Sequence, residues 1–155
     1  VWTHGDWICI DPKKGILMQG RSDATLNRNG IRIGTSEIYM ALDKLENIKD
    51  SLIIELPLKE DSESQLLLFV VAASILNDDL KNKIKKQLKE HCSPRHIPNR
   101  IIAVNEIPYT ISGKKMEIPV KKLFSGMAIE KILALGSMRN PKSLNEFIEI
   151  QKQMI

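Results

Sequence analysis

The chain of 155 residues has few aromatic residues, and it has no long apolar run. Its two Trp, two Tyr and three Phe lack the interleaving with basic residues that single-stranded nucleic-acid binders use for stacking. The longest apolar run, residues 66–73, is too short to cross a bilayer, and no cleavable apolar stretch opens the chain. The sequence therefore predicts a cytoplasmic protein with no membrane span and no nucleic-acid partner.

Cysteine is also scarce. Cys9 and Cys92 are far apart, and neither has a partner at metal-ligand spacing, so two reduced thiols are favoured over one disulfide. His4, His91 and His96 are scattered, with no Ser or Cys at a recognisable catalytic spacing, and we expect them to be structural. The sequence predicts no metal site within this chain.

The charge and apolar content are typical of a globular domain, and the net positive charge suits anionic ligands. Hydrophobic residues make up 43% and charged residues 27%, and the net charge is +4. Such mild basicity suits nucleotides and falls short of a nucleic-acid-binding stripe. Five lysines lie on one predicted helix, where they form either a solvated face or an electrostatic seat for a phosphorylated ligand: Lys81, Lys83, Lys85, Lys86 and Lys89.

The hydrophobic pattern predicts an α+β fold. Alternation and turn residues predict a β-hairpin at 7–11 and 16–19, a short strand pair within 26–33, and strands at 50–58, 65–73 and 100–105. Helices are predicted after a Thr35 or Ser36 cap, after Asn77, and at 116–124, 127–135 and 143–154. We expect a small domain with a three-stranded sheet flanked by helices, preceded by the hairpin and followed by a helical C-terminal extension.

Two motifs near the start of the chain could bind a nucleotide. In the first, residues 2–6, the carboxylate of Asp6 follows a glycine and could accept hydrogen bonds from vicinal ribose hydroxyls; the alternative is a turn that opens a hairpin. In the second, residues 20–38, Arg21 and Arg32 flank a glycine-containing loop and could grip a phosphate. The alternative there is a glycine-rich turn between strands with solvated arginines.

The third motif, residues 108–114, ends in Ser-Gly-Lys. A lysine on a glycine-containing loop is a mobile point charge that suits stabilisation of a phosphoryl centre under attack. The spacing is not that of a Walker A loop, and a plain surface loop is the alternative. The side chain of Lys115 is expected to point away from that of Lys114 and to be dispensable.

Together, the three motifs resemble the closing motif series of the acyl-adenylate-forming superfamily, which includes acyl-CoA synthetases, adenylation domains and luciferases. Segments 93–98, 107–117 and 136–144 resemble the acetoacetyl-CoA synthetases in particular, and the extra His4 before Gly5 fits that subgroup. The resemblance implies that Asp6 binds the ribose with help from Arg21, that Arg32 contacts the phosphate, and that Lys114 is the catalytic lysine of adenylation.

The resemblance also implies a domain organisation. Residues 1–22 would be the terminal hairpin of a large N-terminal domain, Asp23 the hinge, and residues 24–155 the small mobile C-terminal domain. Gly30 would lie on the pantetheine path of CoA, and Lys89 would meet its 3′-phosphate. The chain begins at Val1 and contains neither a glycine- and threonine-rich phosphate loop nor an acyl pocket, so we expect it to be a piece of a longer polypeptide.

The implied activity is that of an AMP-forming ligase that joins acetoacetate to CoA at the expense of ATP, with Mg²⁺ accompanying ATP. The large domain, ATP or AMP, CoA and a small carboxylic acid are the implied partners, and the fragment alone would be inactive. Two alternatives stay open: a basic non-enzymatic module that binds nucleotides or other anions, and the end of an adenylation domain that loads a carrier protein.

Overall fold

A computed structural model describes residues 6–10, 15–21, 25–28, 31–57, 64–128 and 138–154, with the backbone alone for 6–9 and 17–21. Asp23, Gly30 and most of the helix predicted at 127–135 lie outside the described residues. The strands are β1 (Asp6–Ile10), β2 (Ile16–Arg21), β3 (Leu26–Arg28), β4 (Ile31–Ile33), β5 (Ile48–Pro57), β6 (Ser64–Ala72) and β7 (Arg100–Ala103). The helices are α1 (Thr35–Leu42), α2 (Asp78–His91), α3 (Glu117–Phe124) and α4 (Ser143–Met154).

The strands form two short hairpins and one three-stranded sheet, as predicted. β1 pairs with β2 and β3 with β4, both antiparallel. The larger sheet has the order β5-β6-β7, with β5 antiparallel and β7 parallel to the central strand. A parallel pair needs a crossover connection, which α2 supplies between β6 and β7.

The central strand β6 explains the apolar run seen in the sequence. Leu66, Leu68 and Val70 belong to the core on one face of the sheet, and Leu67 and Phe69 belong to the core on the other. A strand covered on both faces reads as a continuous apolar segment rather than an alternating one. The run therefore marks the middle of the domain.

Helices cover both faces of this sheet. α1 and α2 bury Ile38, Ile84 and Leu88 on one face. α3 and α4 pack on the other, where all three phenylalanines meet: the ring of Phe69 lies 5.2 Å from Phe124 and 4.8 Å from Phe147, centroid to centroid. The predicted α+β class, with helices flanking a three-stranded sheet, is confirmed.

The predicted helix starts are right for α2 and wrong for α1. Asn77 caps α2, because its Oδ1 accepts a hydrogen bond from the Leu80 amide at 2.9 Å. The cap position of α1 is occupied by Gly34, which has no side chain to accept a hydrogen bond from the first turn. Thr35 is buried inside that turn. Thr35 and Ser36 therefore do not serve as the cap, since the helix begins at Thr35, one or two residues earlier than predicted.

The lysine-rich helix presents its charges to solvent. Leu80, Ile84 and Leu88 are its buried residues, and the lysines at 83, 85, 86 and 89 are exposed. Cys92, just beyond its end, has a free thiol, and the Cys9 side chain lies outside the described part. No helix among the described residues is both long enough and apolar enough to span a membrane.

Candidate functional site

The third motif forms a tight loop whose two stems face each other. Tyr109 and Lys115 pair as an antiparallel bridge at its base. Inside it, the Thr110 amide donates to the Lys114 carbonyl at 2.9 Å, and the Lys114 amide donates to Thr110 Oγ1 at 3.0 Å. Gly113 has a φ of 79°, a left-handed conformation that favours glycine. We call residues 110–114 the lysine loop.

A second segment holds the lysine loop from behind. Thr110 forms a bridge with Met138, and the Arg139 amide donates to the Tyr109 carbonyl at 2.9 Å. The Asn140 side chain accepts from the Tyr109 amide at 2.8 Å and donates to the Ile107 carbonyl, also at 2.8 Å. The backbone that leads into the loop is thereby fixed to the body of the domain.

Lys114 itself is exposed at the end of this loop. Within the described residues, no carboxylate lies within ion-pairing distance of its ammonium group. A fixed backbone that carries an unpaired, solvent-facing ammonium group can present a positive charge to an anionic ligand without first breaking an internal bond. The geometry therefore suits the role predicted for Lys114.

Lys115 lies on the inner side of the loop and has three kinds of partner. Its Nζ lies 2.8 Å from Oδ1 of Asp50, donates to the Ser51 carbonyl at 2.6 Å, and sits 4.0 Å from the centroid of the Tyr39 ring. Lys114 is exposed, whereas Lys115 is partly buried against these partners, so the two adjacent side chains have different surroundings. The expectation that Lys115 is dispensable stays untested, but the anchored side chain argues against it.

These contacts also cover the free edge of the sheet. Among the described strands, β5 is at the edge of the sheet, so alternate backbone groups along it have no partner strand there. Lys115 takes up the carbonyl of Ser51, and the Tyr39 hydroxyl accepts from the Ile53 amide at 3.2 Å. Burial is the largest cause that raises the pKa of Tyr39 well above its ordinary value. The negative charge of Glu117 and the hydrogen bond to it raise the pKa further.

Among the other residues predicted for the site, side chains are described for Arg32 and Lys89. Arg32 is exposed on β4 and Lys89 is exposed on α2. In the described part of the chain, no hydrogen bond or ion pair connects either of them to Lys114. Asp6 and Arg21 are direct partners in the β1–β2 ladder, although their side chains are not described. The hinge residue Asp23 and the CoA-path residue Gly30 lie outside the described ranges.

A turn after α2 fixes the β3–β4 hairpin to the domain. Nη1 of Arg28 donates to the carbonyls of Arg95 and Ile97 at 2.8 and 2.5 Å. His96 is buried, with Nδ1 2.8 Å from Ser93 Oγ and Nε2 3.1 Å from a carboxylate oxygen of Glu37. Both ring nitrogens of His96 are thus engaged, which fits the structural role expected of it.

Sequence reasoning missed the residues that hold the lysine loop. Asp50 and Tyr39 precede Lys115 by more than sixty positions, and neither lies in a motif with Lys114. The segment at 138–140 did enter the family resemblance, but nothing in the sequence indicated that its asparagine bonds the loop. A partner so distant along the chain leaves no local spacing to detect.

Comparison with known proteins identifies relatives of a larger size. No protein-family model matches the chain. It is 44% identical over 151 residues to an acetoacetyl-CoA synthetase of Caenorhabditis elegans, a match that covers 96% of this chain and 21% of that protein. It is 40% identical to the Gallus gallus acetoacetyl-CoA synthetase, over 97% of this chain and 22% of that protein. The chain thus spans about a fifth of the length of these curated relatives.

Solved structures agree with the sequence matches. An acetoacetyl-CoA synthetase from Streptomyces lividans superposes with a TM-score of 0.84 at 35% identity, over 99% of this chain and 23% of that one. An anthranilate CoA ligase in complex with anthranoyl-AMP superposes with a TM-score of 0.68 at 23% identity, which shows a common fold alone. The chain is therefore similar, over nearly its whole length, to about one fifth of an acetoacetyl-CoA synthetase.

Proposed function

We propose that the chain is the small C-terminal domain of an AMP-forming acetoacetyl-CoA synthetase and that Lys114 is its catalytic lysine. The observation that carries the proposal is an exposed lysine on a loop fixed at both stems, in a chain 35–44% identical to acetoacetyl-CoA synthetases over nearly its whole length. The whole enzyme would need the large domain of the same polypeptide, which would supply the acyl pocket.

The proposed reaction has two steps. A carboxylate oxygen of acetoacetate attacks the α-phosphorus of ATP, the bond to the β-phosphate oxygen breaks, and pyrophosphate leaves. The CoA thiol then loses its proton and attacks the acyl carbon of the adenylate, forming the thioester and releasing AMP. ATP would enter with Mg²⁺, and the described residues contain no His, Cys, Asp or Glu group suited to hold that ion.

Lys114 would act in the first step. Negative charge accumulates between the attacking carboxylate and the α-phosphate as the new bond forms. An ammonium group already fixed in place stabilises that charge without reorganisation of solvent or chain. The bridge at 109 and 115 and the bonds within the loop support this role, because they fix the backbone from which the side chain projects.

The nucleotide would be held by residues from two hairpins. Asp6 would accept from the ribose hydroxyls with Arg21 beside it, and the register that pairs these two positions in β1 and β2 supports a shared role. Arg32, exposed on β4, would contact the phosphate. A guanidinium offers the bidentate geometry that phosphate oxygens accept.

CoA would enter after a change in domain orientation. Asp23 would be the hinge, Gly30 would line the pantetheine path, and Lys89, exposed on α2, would meet the 3′-phosphate. Rotation about the hinge would withdraw Lys114 and bring Gly30 to the adenylate, so one small domain would serve both steps. The cytoplasmic location expected from the sequence stays a prediction.

The proposal is tested with the complete polypeptide that contains this chain. Purified protein is given ATP and CoA with acetoacetate, with acetate, or with no acid, and AMP, pyrophosphate and thioester are quantified. We expect acetoacetate-dependent formation of all three products in equal amounts. Lys122→Ala, a change of an exposed lysine on α3, is the control beside Lys114→Ala and should retain the activity.

Other outcomes would distinguish the alternatives. Acid-dependent pyrophosphate release with transfer to a phosphopantetheinyl carrier protein, but not to CoA, would replace the proposal by a carrier-loading function. Absence of any acid-dependent AMP, together with tight oligonucleotide binding at physiological salt, would replace it by an anion-binding module.

A further inference from the structure

We infer that the carboxylate of Asp50 is a positioning group that clamps both stems of the lysine loop and so sets the location of Lys114 for adenylation. The catalytic consequence of the clamp rests on the proposed function. The clamp itself rests on the contacts of Asp50 alone. No motif in the sequence includes this residue, which lies near the start of β5.

The two oxygens of Asp50 bind the two residues that close the loop. Oδ1 lies 2.8 Å from Nζ of Lys115, and Oδ2 accepts from the Tyr109 hydroxyl at 2.8 Å. Tyr109 and Lys115 are the bridge pair at the loop base. One side chain outside the loop therefore holds the residue that precedes it and the residue that follows it.

Asp50 is itself fixed. Its Oδ1 accepts from the Ser51 amide at 2.8 Å, and its backbone pairs with Val71 in the central strand of the sheet. Lys115 is held further by the Ser51 carbonyl and by the face of the Tyr39 ring. Rigid strands therefore position the loop, which is what a catalytic side chain on a loop requires.

The clamp is shielded enough to be strong. About a quarter of each side chain in the Asp50–Lys115 pair is exposed, 25% and 22%. A half-buried pair with additional hydrogen bonds on both groups is screened less by water and salt than an exposed pair. Burial and the hydrogen bond to Asp50 also raise the pKa of Tyr109 above its ordinary value, so the hydroxyl remains a donor even in alkaline solution.

The clamp acts on catalysis through distance. Lys114 is the residue next to Lys115, so freedom at the stem becomes displacement of the Lys114 ammonium. A displacement of about 1 Å in a reacting group can cost about a hundredfold in rate. Asp50→Asn keeps the shape of the side chain but removes its charge, and we expect it to slow adenylation by roughly ten- to a hundredfold.

The test combines two independent measurements on Asp50→Asn, Lys115→Met and Tyr109→Phe. The first is hydrogen exchange in this chain at the Thr110, Gly113 and Lys114 amides, which are bonded within the loop. We expect faster exchange there and unchanged exchange in β6. The second is the two half-reactions in the complete polypeptide: adenylation should fall, and thioester formation from supplied acyl-adenylate should not.

Lys121→Met is the matched control, because Lys121 on α3 pairs with Glu55 of the same strand at 3.2 Å. It should leave loop exchange and adenylation unchanged. Tyr109→Phe removes one oxygen atom, so it tests the clamp even if the charge variants fail to fold. Unchanged loop exchange in Tyr109→Phe and Asp50→Asn would overturn the clamp, as would equal effects in Lys121→Met. A wild-type polypeptide without adenylation would instead overturn the proposed function, and the exchange result would still decide the clamp.

Discussion

The hydroxyl of Tyr39 on α1 donates a hydrogen bond to Oε1 of Glu117, at the start of α3, over 2.7 Å. These two helices pack against opposite faces of the sheet, so the bond crosses its β5 edge. The same hydroxyl accepts from the Ile53 amide of that edge strand. A single side chain thus connects both layers of helices to the sheet.

The two tyrosines of the chain should resist ionisation while it is folded. Burial is the largest cause that raises the pKa of Tyr39 and of Tyr109, and carboxylates beside both hydroxyls add to it. An unfolded tyrosine ionises with a pKa of about 10. In an alkaline titration of the folded chain, followed by phenolate absorbance, we therefore expect little phenolate near that pH. In denaturant, both should titrate near pH 10.

The sign of the linked stability follows from these pKa directions. Each folded pKa is raised above the unfolded value, so the contribution is fully present below about pH 10 and is lost as the pH rises toward the folded pKa. The urea concentration at the unfolding midpoint should therefore decrease as the pH is raised above about 10. The decrease should be less steep in Tyr109→Phe than in the wild type. Appearance of two phenolates near pH 10 with a native circular dichroism spectrum would contradict the burial of these groups.

Gly113 and Gly126 form a matched pair for testing backbone conformation. Their φ values are 79° and 84°, and a Cβ added at either would meet no atom within 4 Å. Alanine at each should cost about 1–2 kcal/mol in the free energy of unfolding, from backbone strain alone. Because Gly113 lies in the lysine loop, only Gly113→Ala should also slow adenylation in the complete polypeptide.

Asparagine tolerates this conformation better than alanine, so Gly113→Asn should recover part of both losses. The measurements are urea unfolding of the chain and pyrophosphate exchange in the complete polypeptide. Equal effects of Gly113→Ala and Gly126→Ala on exchange would show that the loop conformation has no special importance for the first step.

α4 should be an integral part of the core rather than an appendage. Phe147 is fully buried, and its ring lies 4.8 Å from that of Phe69 on the central strand. Phe147→Ala should therefore lower the free energy of unfolding by about 3–5 kcal/mol. Met40→Ala, at a position 56% exposed, should change it by less than about 0.5 kcal/mol. Urea denaturation of the chain measures both, and similar midpoints would contradict the placement of α4.

The sequence predicts the elements of this fold better than the connections that build its site. Periodicity and turn residues are local, so α2 with its Asn77 cap and the strands around residues 50–72 could be located in advance. Lys114 could be proposed as a site residue because its motif is contiguous. Asp50 could not be, since its contacts with Tyr109 and Lys115 arise only after β5 is placed in the sheet.

The hinge role proposed for Asp23 can be tested by separate assays of the two half-reactions. Proline fixes φ near −65°, so Asp23→Pro in the complete polypeptide should confine the small domain to one orientation. We expect one half-reaction to be retained and the other to be lost when adenylation and thioester formation are assayed separately. Asp23→Ala is the control, because it changes the side chain without fixing φ. Asp43→Pro would not serve, because the Asp43 amide donates a hydrogen bond to the Tyr39 carbonyl. Equal loss or equal retention of both steps in Asp23→Pro would identify an ordinary loop residue.

Lys114 and Lys115 are adjacent, and their alanine variants should fail for different reasons. Lys114 is exposed, so Lys114→Ala should leave the urea midpoint of the chain and the exchange rates of the loop amides unchanged. In the complete polypeptide it should reduce adenylation by about 10²–10³-fold, the usual cost of one charge-stabilising donor. Thioester formation from synthetic adenylate should persist, because the proposed rotation removes Lys114 before the second step.

Lys115→Ala, in contrast, leaves the Asp50 carboxylate without its ion-pair partner. It should lower the free energy of unfolding by about 1–3 kcal/mol and accelerate amide exchange in the lysine loop, with adenylation reduced as a consequence. The discriminating comparison is therefore stability and exchange beside pyrophosphate exchange for both variants. If Lys114→Ala retains adenylation while Lys115→Ala loses it without any change in stability, Lys115 is the catalytic lysine. If Lys114→Ala impairs both half-reactions equally, the two-orientation mechanism is wrong, because a lysine used in the first step alone cannot slow the second.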